Sequence, residues 1–104
     1  MKDLINRIRN FRDDRDWSQF HTPENLAKAV SIEASELLEN FLWDNKFDKE
    51  KVCDELADVL VYCIHRADSL NVDIEEIIEH KMNKNEKKYP IEKSKGNSKK
   101  YTEF

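Results

Sequence analysis

The chain contains one glycine, Gly96, so residues 1–95 must fold without any. Glycine is the residue that allows a left-handed backbone and the close approach of a backbone to a ligand. Phosphate-cradling loops, dinucleotide-binding fingerprints and the nucleophile elbow of hydrolases all require it. The sequence therefore excludes these three classes of active site.

Length and charge limit the chain further. Its 104 residues predict a single domain, 1–104, and its net charge of −4 argues against a nucleic-acid-binding protein that works through bulk positive charge. Hydrophobic residues make up 38% of the chain, the same share as charged residues. Because a domain this small buries a modest fraction of its surface, we expect part of the core to be shared with a second copy.

The sequence also bears on cellular location. No apolar run approaches the roughly 18 residues of a membrane span, and the N-terminal MKDLINRIRN is too charged for the core of a signal peptide. Cys53 and Cys63 would lie about 15 Å apart on one helix, which is too far for a disulfide bond. We therefore expect a cytoplasmic protein that makes no contact with a membrane.

Apolar periodicity predicts an all-α chain with little strand signal. Four helices are predicted, at about residues 2–15, 23–43, 49–70 and 73–88. The pair Thr22-Pro23 is typical of a helix start, Asp73 is typical of a helix cap, and Pro90 ends the fourth helix. The helical body therefore covers residues 1–90, and the polar, basic segment 91–104 is predicted to be a tail that is mobile or laid over a neighbour.

Carboxylates interrupt the apolar stripes of the second and third helices. Glu33 lies within the stripe of the second helix, with Glu36 three residues later, and Glu55 and Asp58 repeat this spacing in the third helix. Carboxylates spaced in this way are about 5–6 Å apart at Cβ, and packed helices are about 8–10 Å apart. Two facing pairs would gather four oxygen donors in one small volume. Buried carboxylates need a counter-charge, and an all-oxygen set favours Mg²⁺ or Mn²⁺.

Each of these residues also has an ordinary interpretation. A single pair of acids at this spacing is common on solvated helices, so only the coincidence of two pairs favours a metal. Lys81 and Asn85 interrupt the stripe of the fourth helix, and Lys81 fits a salt bridge or a solvated side chain. His21 fits a structural hydrogen bond. The ordinary interpretation as core applies to Trp17, Phe20, Trp43 and Tyr62.

Longer motifs extend this pattern along the chain. In order, they are RDWSQFHTPENL, ELLENFLW, DELADVLVY, VDIEEIIEHKMNKNEKKYP and KYTE. The array of Glu33 and Glu36, an 18-residue spacer, then Glu55 and Asp58 resembles the all-α MazG-like nucleoside triphosphate pyrophosphohydrolases. The longer motifs resemble the dCTP pyrophosphatase branch of that family and cover nearly the whole chain.

The resemblance implies a four-helix MazG-like bundle and a role for each motif. Glu33, Glu36, Glu55 and Asp58 would be the Mg²⁺ ligands. The nucleotide pocket would include Trp17, Ser18, Gln19, Phe20, His21, Trp43 and Tyr62, with Lys81 and Asn85 reaching the phosphates or the nucleotide. A homo-oligomer is implied, with a tetramer favoured over a dimer. This chain departs from the family at Ile32, where a glutamate is usual, and at Ile8, where this branch can carry a histidine that contacts the substrate.

We therefore interpret the chain as a nucleoside triphosphate pyrophosphohydrolase that favours dCTP or a modified dCTP. An acidic cluster and a triphosphate repel each other, and Mg²⁺ would bridge them. Water attacks the α-phosphorus, pyrophosphate leaves and a monophosphate remains. The sequence identifies no further catalytic group besides the metal ligands, and we expect the metal to activate the water.

Two other classes compete with this interpretation. A non-catalytic helical interaction module would pair its acidic faces with a basic partner, but it leaves the rings of residues 17–21 unexplained. A carboxylate-bridged di-metal redox bundle normally carries a histidine three residues after a glutamate ligand. Neither Glu36 nor Glu55 has one.

Overall fold

The structure is a computed structural model that describes residues 1–42 and 46–103. Its regular elements are all helical, as the sequence predicts, and these ranges contain no strand. One compact unit, Met1–Asn71, contains α1 (Lys2–Asp14), a 3₁₀ helix (Ser18–Phe20), α2 (Pro23–Glu39) and α3 (Lys49–Ser69). A second compact unit, Val72–Phe104, contains α4 (Ile74–Lys88), α5 (Ile91–Ser94) and a 3₁₀ helix (Tyr101–Glu103).

Local sequence sets the helix starts at the predicted residues. The Thr22 hydroxyl accepts a hydrogen bond of 3.1 Å from the backbone N–H of Asn25, and Pro23 occupies the first turn of α2. The Asp73 carboxylate accepts one of 3.1 Å from the N–H of Glu76 at the start of α4. Both side chains satisfy backbone donors that a helix leaves unpaired at its N-terminus.

Two residues other than glycine adopt a left-handed backbone just after a helix. Asp16 follows α1 with a φ of 54°, and Asn71 follows α3 with a φ of 56°. Both lie in the left-handed region, which aspartate and asparagine tolerate better than other residues with a Cβ. These two residues therefore take the role that glycine usually has after a helix.

α2 is shorter than predicted: it ends at Glu39, whereas the sequence predicted a helix that continues to about Trp43. The Asn40 side-chain amide donates hydrogen bonds of 3.2 Å to the backbone carbonyls of Glu36 and Leu37, and so binds the last turn from outside. The residue predicted to end this helix, Trp43, lies outside the described residues.

α2 and α3 form an antiparallel pair. Asn40, after the end of α2, lies 2.9 Å from Glu55 near the start of α3. His21, before the start of α2, contacts His65 near the end of α3. The acidic residues of α2 and α3 therefore lie in the part of the helix pair between these two contacts.

The core of the first unit is small. Within the described ranges, the buried apolar side chains are Ile5, Leu26, Ile64 and Ala67. Leu4, Ile8 and Phe11 recur at helical spacing and so predict a core-facing stripe on α1. In the structure this stripe is more open, since Leu4 and Phe11 are each 49% exposed and Ile5 is buried instead. Leu4, Ile8 and Phe11 line an open cavity against α3.

An ion-pair network holds α1 against α3. The guanidinium of Arg9 donates to both carboxylate oxygens of Asp68, at 2.8 to 3.2 Å, and Arg12 donates to the same carboxylate at 2.9 Å. The side chains of Arg12 and Asp68 are 14% and 18% exposed. Charge-assisted hydrogen bonds of this kind are stronger than neutral ones.

In the second unit, the C-terminal segment contacts the end of α4. The segment predicted to be a tail contains the short helix α5, and the ring of Tyr101 packs edge-on against Tyr89 at 6.1 Å. Lys88 lies 4.8 Å from the centre of the same Tyr101 ring, close enough for a cation–π contact.

No helix within residues 1–42 and 46–103 is both long enough and apolar enough to cross a bilayer.

Replacing Asp68 with Asn should lower the free energy of unfolding by about 1.5–3 kcal/mol, because two guanidinium groups lose a charged acceptor. Chemical denaturation measures the change. The matched control is Lys28→Gln, which removes an exposed pair with Glu24 of 3.2 Å and should cost less than about 0.5 kcal/mol. Equal losses in the two variants would contradict the role given to Asp68.

Candidate active site

Four acidic side chains lie along the contact between α2 and α3. Glu33 and Glu36 project from α2, and Glu55 and Asp58 project from α3. Glu33 and Glu55 are half-buried, whereas Glu36 and Asp58 are exposed. Each helix therefore contributes one more deeply placed carboxylate and one at the surface.

The other three carboxylates affect the pKa of Glu33. Burial raises its pKa above the ordinary value, and the negative charges of Glu36, Asp58 and Glu55 raise it further. Its Oε2 atom is buried and has no hydrogen-bond partner among the described residues. Two of these three charges come from the opposite helix, so the acidic pairs of α2 and α3 lie within electrostatic range of each other.

The four side chains do not all turn toward one point. Glu55 accepts the 2.9 Å hydrogen bond from Asn40, which directs one of its oxygens toward the end of α2. Across residues 1–42 and 46–103, no group of three or more acidic, histidine or cysteine side chains is placed to hold a metal ion. Like charges repel at short range, so each carboxylate gains by pointing to a different neighbour.

The donor set nevertheless fits a hard divalent cation. Carboxylate oxygens are the ligands that Mg²⁺ and Mn²⁺ prefer. The buried Oε2 of Glu33 accepts no hydrogen bond within the described residues, so its electron pairs are available to a metal ion. A cation among these groups would lower the raised pKa of Glu33, since opposite charge favours the ionised form.

Aromatic residues after α1 form a partly exposed surface. The rings of Trp17 and Phe20 are 46% and 61% exposed. Trp17 packs edge-on against Phe11, with ring centres 5.7 Å apart. Gln19 donates hydrogen bonds to the backbone carbonyl and the carboxylate of Asp16, which ties this segment to the turn before it. The interpretation of Trp17 and Phe20 as core is therefore wrong, and both rings remain available to a ligand.

His21 and Tyr62 meet at a third ring that the sequence analysis did not single out. His65 of α3 lies 4.7 Å from His21 and 6.2 Å from Tyr62, measured between ring centres. It continues the helical row of Asp58 and Tyr62, three residues beyond Tyr62. That spacing was a signal that could have identified His65 from the sequence.

Two cavities open beside these groups. A polar cavity of about 200 Å³ is lined by Arg12, Ser18, His21, His65, Asp68 and Ser69. A larger cavity of about 540 Å³ lies between α1 and α3, with Asp58 at its edge and mostly apolar walls that include Ile8, Phe11 and Val61. Two predicted nucleotide-binding residues, Ser18 and His21, therefore share the polar cavity.

The remaining predicted residues lie elsewhere. Lys81 and Asn85 belong to α4 in the second unit, where Lys81 is exposed and Asn85 is half-buried. Trp43 lies outside the described residues. The roles of these three residues stay predictions.

Comparisons with known proteins agree with the sequence motifs. Residues 28–104 match the MazG-like family. Aligned over 114 residues, the whole chain is 34% identical to dCTP pyrophosphatase 1 of Mus musculus and 33% identical to that of Homo sapiens, and it covers 67% of each. A crystal structure of a pyrophosphatase from Archaeoglobus fulgidus is similar, with a TM-score of 0.76 and 42% sequence identity over 86% of this chain and 92% of the other.

His65 should make the stability of the protein depend on pH. Burial lowers its pKa to about 4, helped by the positive charge of His21 and Arg12 and opposed by Asp68 and Asp13. Between pH 6.5 and 4 the unfolded chain binds a proton that the folded chain does not, so stability falls as the pH is lowered through this window. The expected loss is on the order of 1–3 kcal/mol.

Denaturation at a series of pH values measures this loss, and His65→Phe is the matched control because it removes the titrating group and keeps a ring. The decline between pH 6.5 and 4 should be smaller in this variant. Identical curves would show that His65 is not the responsible group.

Proposed function

The chain belongs to the MazG-like family, and we propose that it is a magnesium-dependent pyrophosphohydrolase that cleaves the α–β phosphate bond of dCTP or a modified dCTP. Its enzyme class, a nucleoside triphosphate pyrophosphohydrolase, is shared with its relatives. The products would be a nucleoside monophosphate and pyrophosphate, and such an enzyme would maintain the nucleotide pool.

One observation carries the proposal of a metal centre. Glu33 holds a buried, unpartnered oxygen and a raised pKa at a point where the charges of both helices act on it. A carboxylate in this position costs free energy in the folded protein unless a cation neutralises it. The arrangement favours cation binding and lowers the stability of the cation-free protein, as expected of a functional site.

Glu33 and Glu36 of α2 and Glu55 and Asp58 of α3 would hold Mg²⁺. The bound ion would supply positive charge for the triphosphate and for the attacking water. Asn40 would fix the orientation of Glu55 through their 2.9 Å hydrogen bond, so that this ligand needs less reorganisation on binding.

We further propose that the nucleotide lies against the ring segment after α1. Trp17 offers nearly half of its surface for stacking, and Ser18 and His21 line the polar cavity next to it. The family resemblance adds Gln19, Phe20, Trp43 and Tyr62 to this pocket, and it assigns Lys81 and Asn85 to the phosphates. Lysine suits that task because its ammonium is a compact point charge.

A panel of nucleoside triphosphates assayed with Mg²⁺ tests the proposal directly. The expected result is conversion to monophosphate and pyrophosphate, fastest with dCTP or a modified dCTP and absent when a chelator removes the metal. Release of inorganic phosphate without pyrophosphate would contradict the proposed bond cleavage. No turnover with any nucleotide would favour the non-catalytic interaction module.

Glu55→Gln should abolish hydrolysis while it preserves the fold. Glutamine keeps an oxygen for the Asn40 hydrogen bond, and removing one of four like charges leaves thermal stability without Mg²⁺ level or raised. The matched control is Glu50→Gln, an exposed glutamate in the first turn of α3. Wild-type turnover of the Glu55 variant at saturating Mg²⁺ would overturn the ligand assignment.

The active form is proposed to be a homo-oligomer, with a tetramer favoured over a dimer. Large apolar side chains stay exposed on both helices of the central pair, among them Ile32 at 58%, Leu38 at 69% and Leu60 at 54%. Exposed apolar surface of this kind is typical of a protein–protein interface.

Sedimentation of the protein at micromolar concentration should therefore show a species of four chains, or of two. Leu38→Glu should shift the distribution toward smaller species, because it places a charge on the most exposed of these side chains. A fully active monomer would refute the proposal.

A further inference from the structure

His65 contacts two other rings. Its ring centre lies 4.7 Å from that of His21 and 6.2 Å from that of Tyr62. The first contact is tilted by 42° and the second is edge-on at 73°. His21 and Tyr62 are residues of the proposed nucleotide pocket, whereas His65 has no assigned role in it.

The environment of His65 is unusual for a residue that contributes only to core packing. Its side chain is 5% exposed, and its Nδ1 atom is buried without a hydrogen-bond partner in the described part of the chain. Buried polar atoms without partners cost free energy, and a phenyl ring would fill the same space without this cost. The histidine therefore leaves a buried polar atom without a partner where phenylalanine would leave none.

Rigid surroundings hold His65 in place. It lies on α3 between Tyr62 and Asp68, one turn before the carboxylate that binds Arg9 and Arg12 of α1. His21, by contrast, follows a 3₁₀ helix and precedes the cap of α2, so its ring projects from a connection between helices. A side chain on such a connection needs a neighbour to fix its orientation.

We propose that His65 is a positioning residue of the nucleotide pocket, whose ring holds the rings of His21 and Tyr62 in the orientation that binds the substrate. The inference rests on the proposed function, because it takes His21 and Tyr62 as residues that contact the nucleotide. It assigns His65 no contact with the reacting atoms. Its contribution is made equally before and during the reaction, so it acts on binding and leaves the chemical step unchanged.

Three variants separate the ring contact from polarity and from packing. His65→Ala removes both the ring and the polar atoms, His65→Asn keeps a polar group without a ring, and His65→Phe keeps a ring without a polar group. The alanine and asparagine variants should raise the KM for the nucleotide by about 5- to 10-fold, with kcat within about twofold of wild type. The phenylalanine variant should restore the KM.

A second measurement reports on His21 without any nucleotide or turnover. Burial lowers the pKa of His21, with a further contribution from the charge of Arg12. In NMR titrations the pKa of His21 should rise toward its ordinary value in His65→Ala, since loss of the ring admits water, and should stay lowered in His65→Phe. Ile5→Ala, at a buried position of α1, controls for general destabilisation and should change neither the KM nor the His21 titration.

The results that would overturn this inference differ from those that would overturn the proposed function. An unchanged KM in the folded His65→Ala protein, or rescue by Asn and not by Phe, would overturn the inference. If the protein hydrolyses no nucleotide, the proposed function fails, and the His21 titrations still decide whether His65 holds that ring. An unchanged His21 pKa in His65→Ala would refute the positioning role on its own.

Discussion

Electrostatic repulsion between the carboxylates of α2 and α3 is the constraint on which the rest of the first unit depends. Burial raises the pKa of Glu33, the charges of Glu36, Asp58 and Glu55 raise it further, and one of its oxygens is buried without a hydrogen-bond partner among the described residues. Helices with this contact surface would separate unless other contacts held them together. The structure supplies those contacts at the two ends of the helix pair and leaves the repulsion in its middle.

Each end uses a different interaction. At one end, the Asn40 amide binds both the last carbonyls of α2 and the Glu55 carboxylate. At the other end, His21 packs on His65, and one turn later Asp68 binds two arginines of α1. Polar contacts of this kind are directional, so they fix the register of the helices more precisely than the small apolar core can. The four acids keep their positions because the contacts at the two ends of the α2–α3 pair hold these helices together.

The sequence predicted those features that depend on local chemistry. Thr22 and Asp73 cap helices as expected, because an N-cap is decided within four residues of the chain. The charges that act on Glu33 were foreseen from helical spacing alone. The exposure of Leu4 and Phe11 was not foreseen. It depends on which face of α1 packs against α3, and the ion pairs of Asp68 determine that face. His65 was missed because a histidine in an apolar run gives no signal until its spacing from Tyr62 is considered.

The small core and the repelling acids have a common consequence. A chain that buries few apolar side chains has little stability to spare, so a binding partner that neutralises its like charges or covers its exposed apolar surface would stabilise it. A cation would act on the acids, and a second chain would cover residues such as Ile32 and Leu38 that the first unit leaves exposed. Because anything that binds the folded state alone stabilises it, both would favour the same conformation. Metal binding and assembly would then be thermodynamically coupled through the α2–α3 pair, and each would strengthen the other.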